Sequence, residues 1–208
     1  MPILIGDRII LREYRKEDLP YMRKWVNDPE ITQYLSNNIF LYPHTMIVTE
    51  NFINSMIDGS SGMKGFIIAH KENEEYIGQI DLIKIDWINR IGTIGIIIGN
   101  REKLGKGYGT EAIKLIQEFA FNKLNLNKLD LEVRENNERA INCYLKCGFV
   151  IEGRIRQNHF VNGKYADSLF MGILKDVISA KFHTVDPGSP CTTANTTIKY
   201  PGNGYVYL

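Results

Sequence analysis

The sequence predicts an α/β (α+β) fold, a mixed central sheet with helices on both faces, and three observations point to it. Ile- and Val-rich runs alternate with helical patterns in the order β-α-α-β-β-β-α-β-α-β-β. A glycine-rich loop, Leu104-Gly-Lys-Gly-Tyr-Gly-Thr-Glu-Ala112, joins one such run to an amphipathic helix. Asn162-Gly163 lies between two late apolar runs, a strong hairpin signal.

Residues 7–14 (Asp-Arg-Ile-Ile-Leu-Arg-Glu-Tyr) are the first predicted strand. Glu17-Asp18 open a helix through Trp25, and Asn27-Asp28-Pro29 stops it. A second helix spans roughly 45–57 and ends at Asp58-Gly59. Strands at 65–71 and 76–85 follow, joined by the charged turn Lys71-Glu-Asn-Glu-Glu75. The run Thr93-Ile-Gly-Ile-Ile-Ile-Gly99 has the β-branched density of a buried strand. Beyond the glycine loop, Ala112, Leu115, Ile116, Phe119 and Ala120 recur at helical spacing. A strand at 128–134 leads to a helix from Asn137-Glu138, with Ala140, Ile141, Tyr144 and Leu145 on one stripe and a stop at Gly148.

A chain of 208 residues fits one domain, read here as residues 1–178. Residues 179–208 differ in kind: Pro187, Pro190 and Pro201 fall there in a Thr/Ser/Asn/Gly-rich stretch, which is read as an appendage. The sequon Asn195-Thr-Thr197 is taken as accidental, because no secretory pattern precedes it. Lys and Arg number 25 against 24 Asp and Glu, for a net charge of +1. Such balance argues against nucleic acid or an anionic membrane as partner and for a small molecule. Cys143 and Cys147 lie four apart on a predicted helix, but two ligands without a second pair make no zinc site, so no metal is expected. A reducing cytoplasm is the simplest setting.

The glycine loop carries the functional information. Gly105, Gly107 and Gly109 lie at a strand-to-helix junction, where unpaired N–H groups and the positive end of the helix dipole favour an anion. A diphosphate suits it. A P-loop needs four residues between its first Gly and Gly-Lys, whereas Gly99 to Gly105 leaves five. Two readings stay open beside the diphosphate cradle: a dinucleotide fingerprint, and a turn with no ligand. Against the fingerprint stand the long segment Asn100–Leu104 and the strands that precede this one.

The element order, the loop 104–112 and the segment Asn137-Glu-Arg-Ala-Ile-Asn-Cys-Tyr-Leu-Lys-Cys-Gly-Phe149 together resemble the GNAT superfamily of acetyl-CoA-dependent N-acetyltransferases over residues 7–176. Ile9-Ile-Leu-Arg-Glu-Tyr14 and Trp25-Val-Asn-Asp-Pro-Glu-Ile31 look like the branch that acetylates ribosomal-protein N-termini. The segment 137–149 with Phe160-Val-Asn-Gly-Lys-Tyr165 is similar to spermidine N-acetyltransferases. The resemblance implies a mostly antiparallel sheet and acetyl-CoA as cosubstrate. Its pyrophosphate would lie on the backbone N–H groups of Gly105, Lys106, Gly107, Tyr108, Gly109 and Thr110. Its pantetheine arm would pair with Ile96, Ile97 and Ile98, a backbone N–H of that strand serving as oxyanion donor, and Asn137 would contact the same arm. Tyr144 matches the family's general acid. Leu104 departs from the pattern, since relatives carry Arg or Gln there, and Lys103 or Lys106 is the substitute donor. Many relatives carry a Glu base where Thr93 stands, which leaves Asp81, Glu132 and His159 as base candidates.

The implied acceptor is a primary amine, a peptide N-terminus or a small amine; a polyamine is the alternative, and a non-catalytic CoA-binding module on the same fold is the rival class. Trp25, Tyr34, Tyr42, Trp87, His159 and Tyr165 are candidate pocket residues. A polyamine site calls for carboxylates, yet residues 31–38 hold none, which leaves Glu30, Glu50 and Asp58. Homodimerisation through the final strands is a family expectation.

Overall fold

The computed structural model describes residues 4–35, 42–161 and 163–176. Eight strands form one sheet in the order β1-β2-β3-β4-β5-β6-β8-β7. These are β1 (Leu4–Ile5), β2 (Ile9–Arg12), β3 (Lys64–His70), β4 (Tyr76–Asp86), β5 (Ile91–Ile98), β6 (Lys128–Arg134), β7 (Val150–Val161) and β8 (Lys164–Leu174). Every neighbouring pair is antiparallel except β5 and β6. The sheet is therefore mixed and mostly antiparallel, as expected.

Helices α1 (Leu19–Val26), α2 (Pro29–Thr32), α3 (Met46–Asp58), α4 (Tyr108–Glu118) and α5 (Glu138–Lys146) divide between its faces. On one face Ala112, Ile113 and Ile116 of α4 and Tyr144 of α5 close over Ile9, Leu11, Ile68, Ile80, Leu82 and Ile94. On the other, Met22, Trp25 and Val26 of α1, Ile31 of α2 and Ile53 of α3 cover Ile10, Ile67, Ala69 and Tyr76. The period of two along each strand thus feeds two cores. No helix among the described residues is long and apolar enough to cross a membrane.

Two expectations are corrected and two are extended. The first strand does not run from residue 7 to 14: Gly6 N–H donates to Ile9 O at 2.9 Å, so residues 6–9 turn and make β1 and β2 a short hairpin. Gly6-Asp7 is a turn pair at the edge of the predicted strand, so the paired strand β2 begins only at Ile9. Asn27-Asp28-Pro29 does end α1 at Val26, as expected, and Pro29 also begins a helical turn that was not expected. As the first residue of α2 it loses no hydrogen bond, and the Asp28 side chain caps the new turn by accepting from Glu30 N–H at 3.0 Å. Leu145, placed on the buried stripe of α5, is exposed, because that helix rests on the sheet through a narrow face. Asp18 opens α1 as its N-cap residue, as expected, and is in addition buried and held two-pronged by Arg12 at 2.9 and 2.7 Å. The appendage assigned to 179–208, its sequon and Asn162 lie outside the described residues.

Candidate active site

The parallel ladder between β5 and β6 holds only from Ile91–Lys128 to Thr93–Asp130. Beyond it the strands part. From Ile94 to Ile98 that edge of β5 has no strand partner among the described residues, while its other edge stays paired with β4 as far as Gly78–Ile98. An open edge of backbone N–H and C=O groups accepts an extended ligand chain as an added strand. Ile96 and Ile98 pack toward α4, and Ile97 toward α1.

The glycine loop stands at the end of this edge. Gly105 (φ +72°) and Gly107 (φ +85°) occupy left-handed conformations that favour glycine. Gly107 is the residue before α4 and brings no capping side chain, so the N–H groups of Tyr108, Gly109 and Thr110 have no protein acceptor among the described residues. Gly109 differs from the other two, for a Cβ there would meet Cys143 Sγ at an unstrained 3.7 Å. Its bareness answers to no protein neighbour. Arg8 and Glu111, not assigned any role from the sequence, clamp the loop from the β1–β2 turn. The Arg8 guanidinium donates to Lys106 O (2.9 Å) and Glu111 Oε2 (3.0 Å) and lies 4.7 Å over the Tyr108 ring. Glu111 also accepts from Arg8 N–H at 2.8 Å, and those donors hold its carboxyl below its ordinary range against the opposing effect of burial. A contact between residues so far apart in sequence has no local signature.

Leu104, Asn137, Tyr34 and Glu30 line one cleft of 380 Å³ beside the loop. Asn137 caps α5, its Oδ1 accepting from Ala140 N–H at 3.2 Å, so its amide N–H₂ stays available to a ligand. Lys103 donates to Glu75 Oε2 at 3.1 Å, whereas the Lys106 ammonium has no carboxylate partner among the described residues. Of the two substitutes for the missing donor at Leu104, only Lys106 is free to act.

Tyr144 faces the same side of the sheet as α4. It is buried, its ring meets Phe149 edge-on at 5.9 Å, and no protein group among the described residues bonds its hydroxyl. Burial first, and then the thiols of Cys143 and Cys147, push its pKa well above the usual tyrosine range. Cys143 in turn sits 3.3 Å from Thr110 Oγ1, so α5 and the start of α4 are fixed to each other.

The base candidates separate by position. Asp81 on β4 is buried and leans toward β3, where a Cβ on Gly65 would lie 1.8 Å from its Oδ1. Tyr14 O–H donates to Oδ1 at 2.6 Å and Gln79 Nε2 to Oδ2 at 3.2 Å. Glu132 and His159 meet on the sheet face opposite Tyr144, together with Ser168 and Asn158. Thr93 donates to Asp130 Oδ1 at 2.7 Å on the last rung before the strands part. Among the aromatic candidates, Tyr34 lies in the cleft and His159 beside Glu132. Trp25 is core, its indole N–H bonded to Tyr76 O–H at 2.9 Å. Tyr42, Trp87 and Tyr165 are exposed, Tyr165 against Phe160 in the last hairpin.

A family model described as an acetyltransferase (GNAT) domain matches residues 8–150. The chain belongs to the GNAT acetyltransferases. It is 31% identical over 174 residues to the spermidine N(1)-acetyltransferase of Escherichia coli K12, a match covering 84% of this chain and 90% of that one. The Vibrio cholerae spermidine N(1)-acetyltransferase is 29% identical over 171 residues, covering 82% and 95%. A crystal structure of spermidine N-acetyltransferase from Vibrio cholerae, in complex with CoA and spermine, superposes with a TM-score of 0.72 at 30% identity, covering 81% of this chain and 96% of that one. Of the two branches suggested by the sequence, these relatives support the spermidine one. GNAT membership also removes the dinucleotide reading, and the acetyltransferase relatives support an enzyme over the non-catalytic module.

Proposed function

We propose that this GNAT enzyme transfers the acetyl group of acetyl-CoA to a primary amine of a polyamine of the spermidine type. The observation that carries the reading is the parting of β5 and β6, which connects the α4–α5 face with the α1–α3 face at one point of the sheet. The residues fit acetyl-CoA: unpaired N–H groups at Tyr108, Gly109 and Thr110 suit a pyrophosphate, the open edge Ile96–Ile98 suits an amide-bearing arm, and Asn137 offers an amide donor. Acetyl-CoA supplies the activated acyl group. A backbone N–H on the open edge of β5 stabilises the oxyanion, and its rigidity in the sheet is what makes it effective. Tyr144, kept protonated by burial, donates its proton to the departing thiolate.

Polyamines are cations, and carboxylates are what recognises them. Residues 31–35 carry none, but β6 presents Asp130 and Glu132 at the parting of the strands. The relatives named for spermidine support this acceptor over a peptide N-terminus. The test is acetyl-CoA turnover against spermidine, spermine, N-terminal peptides, aminoglycosides and amino sugars. Polyamines are expected to give the highest kcat/KM, and preferential turnover of a peptide or sugar would overturn the assignment.

Leu104 supports a second expectation. Leu104→Arg places a guanidinium beside the loop, and one added charge-assisted contact with phosphate at a half-exposed site is expected to tighten acetyl-CoA binding about three- to tenfold. Calorimetry should show the gain shrinking as salt is raised. An unchanged Kd at low salt would mean that position 104 does not face the phosphates.

A further inference from the structure

Glu132 is an ordinary-looking residue of β6 with an unusual set of neighbours. Leu129, Leu131 and Val133 of that strand enter the core under α4, so Asp130, Glu132 and Arg134 occupy the opposite face. Asp130 marks the last rung shared with β5, through Thr93. Arg134 donates to the carbonyls of Gln33 and Leu35 and so ties the chain after α2 over this end of β6. Glu132, between the two, stands just past the parting of the strands on the side away from Tyr144.

Two donors and an imidazole nitrogen converge on one of its oxygens. Ser168 O–H donates to Oε1 at 2.5 Å, Asn158 Nδ2 donates to it at 3.0 Å, and His159 Nε2 lies 3.3 Å away. Ser168 is fully buried, and its Oγ is also 2.8 Å from His159 Nε2 and 3.0 Å from Asn158 Nδ2, so the neighbours are themselves fixed. This is not a nucleophile relay: acid and hydroxyl meet the same imidazole nitrogen, whereas a serine–histidine–acid relay needs them on opposite nitrogens. Oε2 accepts nothing from the described residues, and the side chain is 32% exposed. A carboxylate with one oxygen pinned and the other open is preorganised for a cation.

We infer that Glu132 is the specificity-determining carboxylate for the amine acceptor, its Oε2 accepting a hydrogen bond from a substrate ammonium, with Ser168, Asn158 and His159 as positioning residues. The assignment rests on the proposed amine acetylation, and it names the residue that reads the acceptor's charge.

Glu132→Gln tests it cleanly. The glutamine carbonyl oxygen can keep the bonds from Ser168 and Asn158, so the fold and the pinned geometry survive, while the open oxygen becomes an N–H₂ that repels a cation. For the cationic amine that the wild-type protein acetylates best, KM is expected to rise about 10- to 100-fold with kcat changed less than about threefold. The acetyl-CoA Kd and the melting temperature should stay put. Glu132→Asp, which retains the charge, should recover part of the loss. Ser168→Ala, which frees Oε1, should raise KM in the same direction by a smaller factor, and Glu132→Gln should mask that effect in the double variant. An unchanged KM in Glu132→Gln, or a collapse of kcat with KM unchanged, would overturn the inference. Choosing the best amine empirically separates the two proposals: a wild-type protein that ignores polyamines refutes that acceptor class, while the Glu132 experiment proceeds on the amine it does use.

Discussion

Tyr144→Phe is expected to lower kcat about 100-fold while leaving the acetyl-CoA Kd within about twofold, the size typical of losing a positioned general acid. The substitution is unusually clean here. The ring keeps its edge-on contact with Phe149 and its buried place between α5 and the sheet, and the hydroxyl it removes bonds no described protein group. The melting temperature should therefore change little. Burial and the neighbouring Cys143 and Cys147 raise the tyrosine pKa, so the hydroxyl is protonated throughout the range in which the enzyme can be assayed. A raised pKa costs some acidity as a donor, but it ensures that the proton is present when the thiolate leaves. The pH profile follows: no alkaline limb near the usual tyrosine pKa of ~10 should appear in the wild-type protein. A Phe variant with wild-type kcat would take Tyr144 out of the chemistry and leave the thiolate to be protonated by solvent.

How much of this was legible beforehand depends on how local each signal is. The glycine loop and the stripe of α5 are written in consecutive residues. Spacing therefore places Gly105 and Gly107 at a helix start and Tyr144 on the stripe of α5, while the catalytic role of Tyr144 comes from the resemblance; the structure puts the loop and the α5 start on one cleft. The hairpin of β1 and β2 is hard to read because β1 is only Leu4–Ile5, too short to show alternation, although Gly6-Asp7 is a turn pair. Arg8 and Glu111 meet only after the chain has laid down β1 to β5. Pinning of Glu132 is of the same kind: it needs β6, β7 and β8 side by side, and the order β6-β8-β7 places the last strand inside the one before it. The sequence leaves Glu30, Glu50 and Asp58 as acceptor carboxylates and offers Glu132 only as a base; the cation-reading role proposed for Glu132 rests on neighbours from β7 and β8 that no local pattern shows.

Asp81→Asn is expected to change stability in a strongly pH-dependent way and activity hardly at all. Burial pushes the Asp81 carboxyl up to about 7, against the opposing hydrogen bonds from Tyr14 and Gln79. In the unfolded chain the group titrates near ~3.9, so between about pH 4 and pH 7 the folded protein holds a proton that the unfolded chain has released. Folding stability from this group is fully present below pH ~4, falls as pH rises through that window, and is flat above it; the loss between pH ~4 and a folded-state pKa of about 7 amounts to about 4 kcal/mol. Asparagine has no charge to bury. Its carbonyl can accept from Tyr14 O–H, and with the Gln79 amide turned over, its N–H₂ can donate to Gln79 Oε1, a buried acceptor that otherwise has no partner among the described residues. The variant's advantage over wild type in unfolding free energy should therefore be near zero at pH 4 and grow by about 3–4 kcal/mol at pH 8. Denaturant titrations of both proteins at the two pH values measure it, and a difference independent of pH would mean that Asp81 is ionised without penalty. Its kcat is a second discriminator. Both carboxylate oxygens are already engaged and the group leans away from the parted strands, toward Gly65. A base serving the acceptor amine would sit elsewhere, so kcat should stay within about threefold of wild type. A hundredfold loss would instead make Asp81 the proton acceptor, reached through a chain of waters.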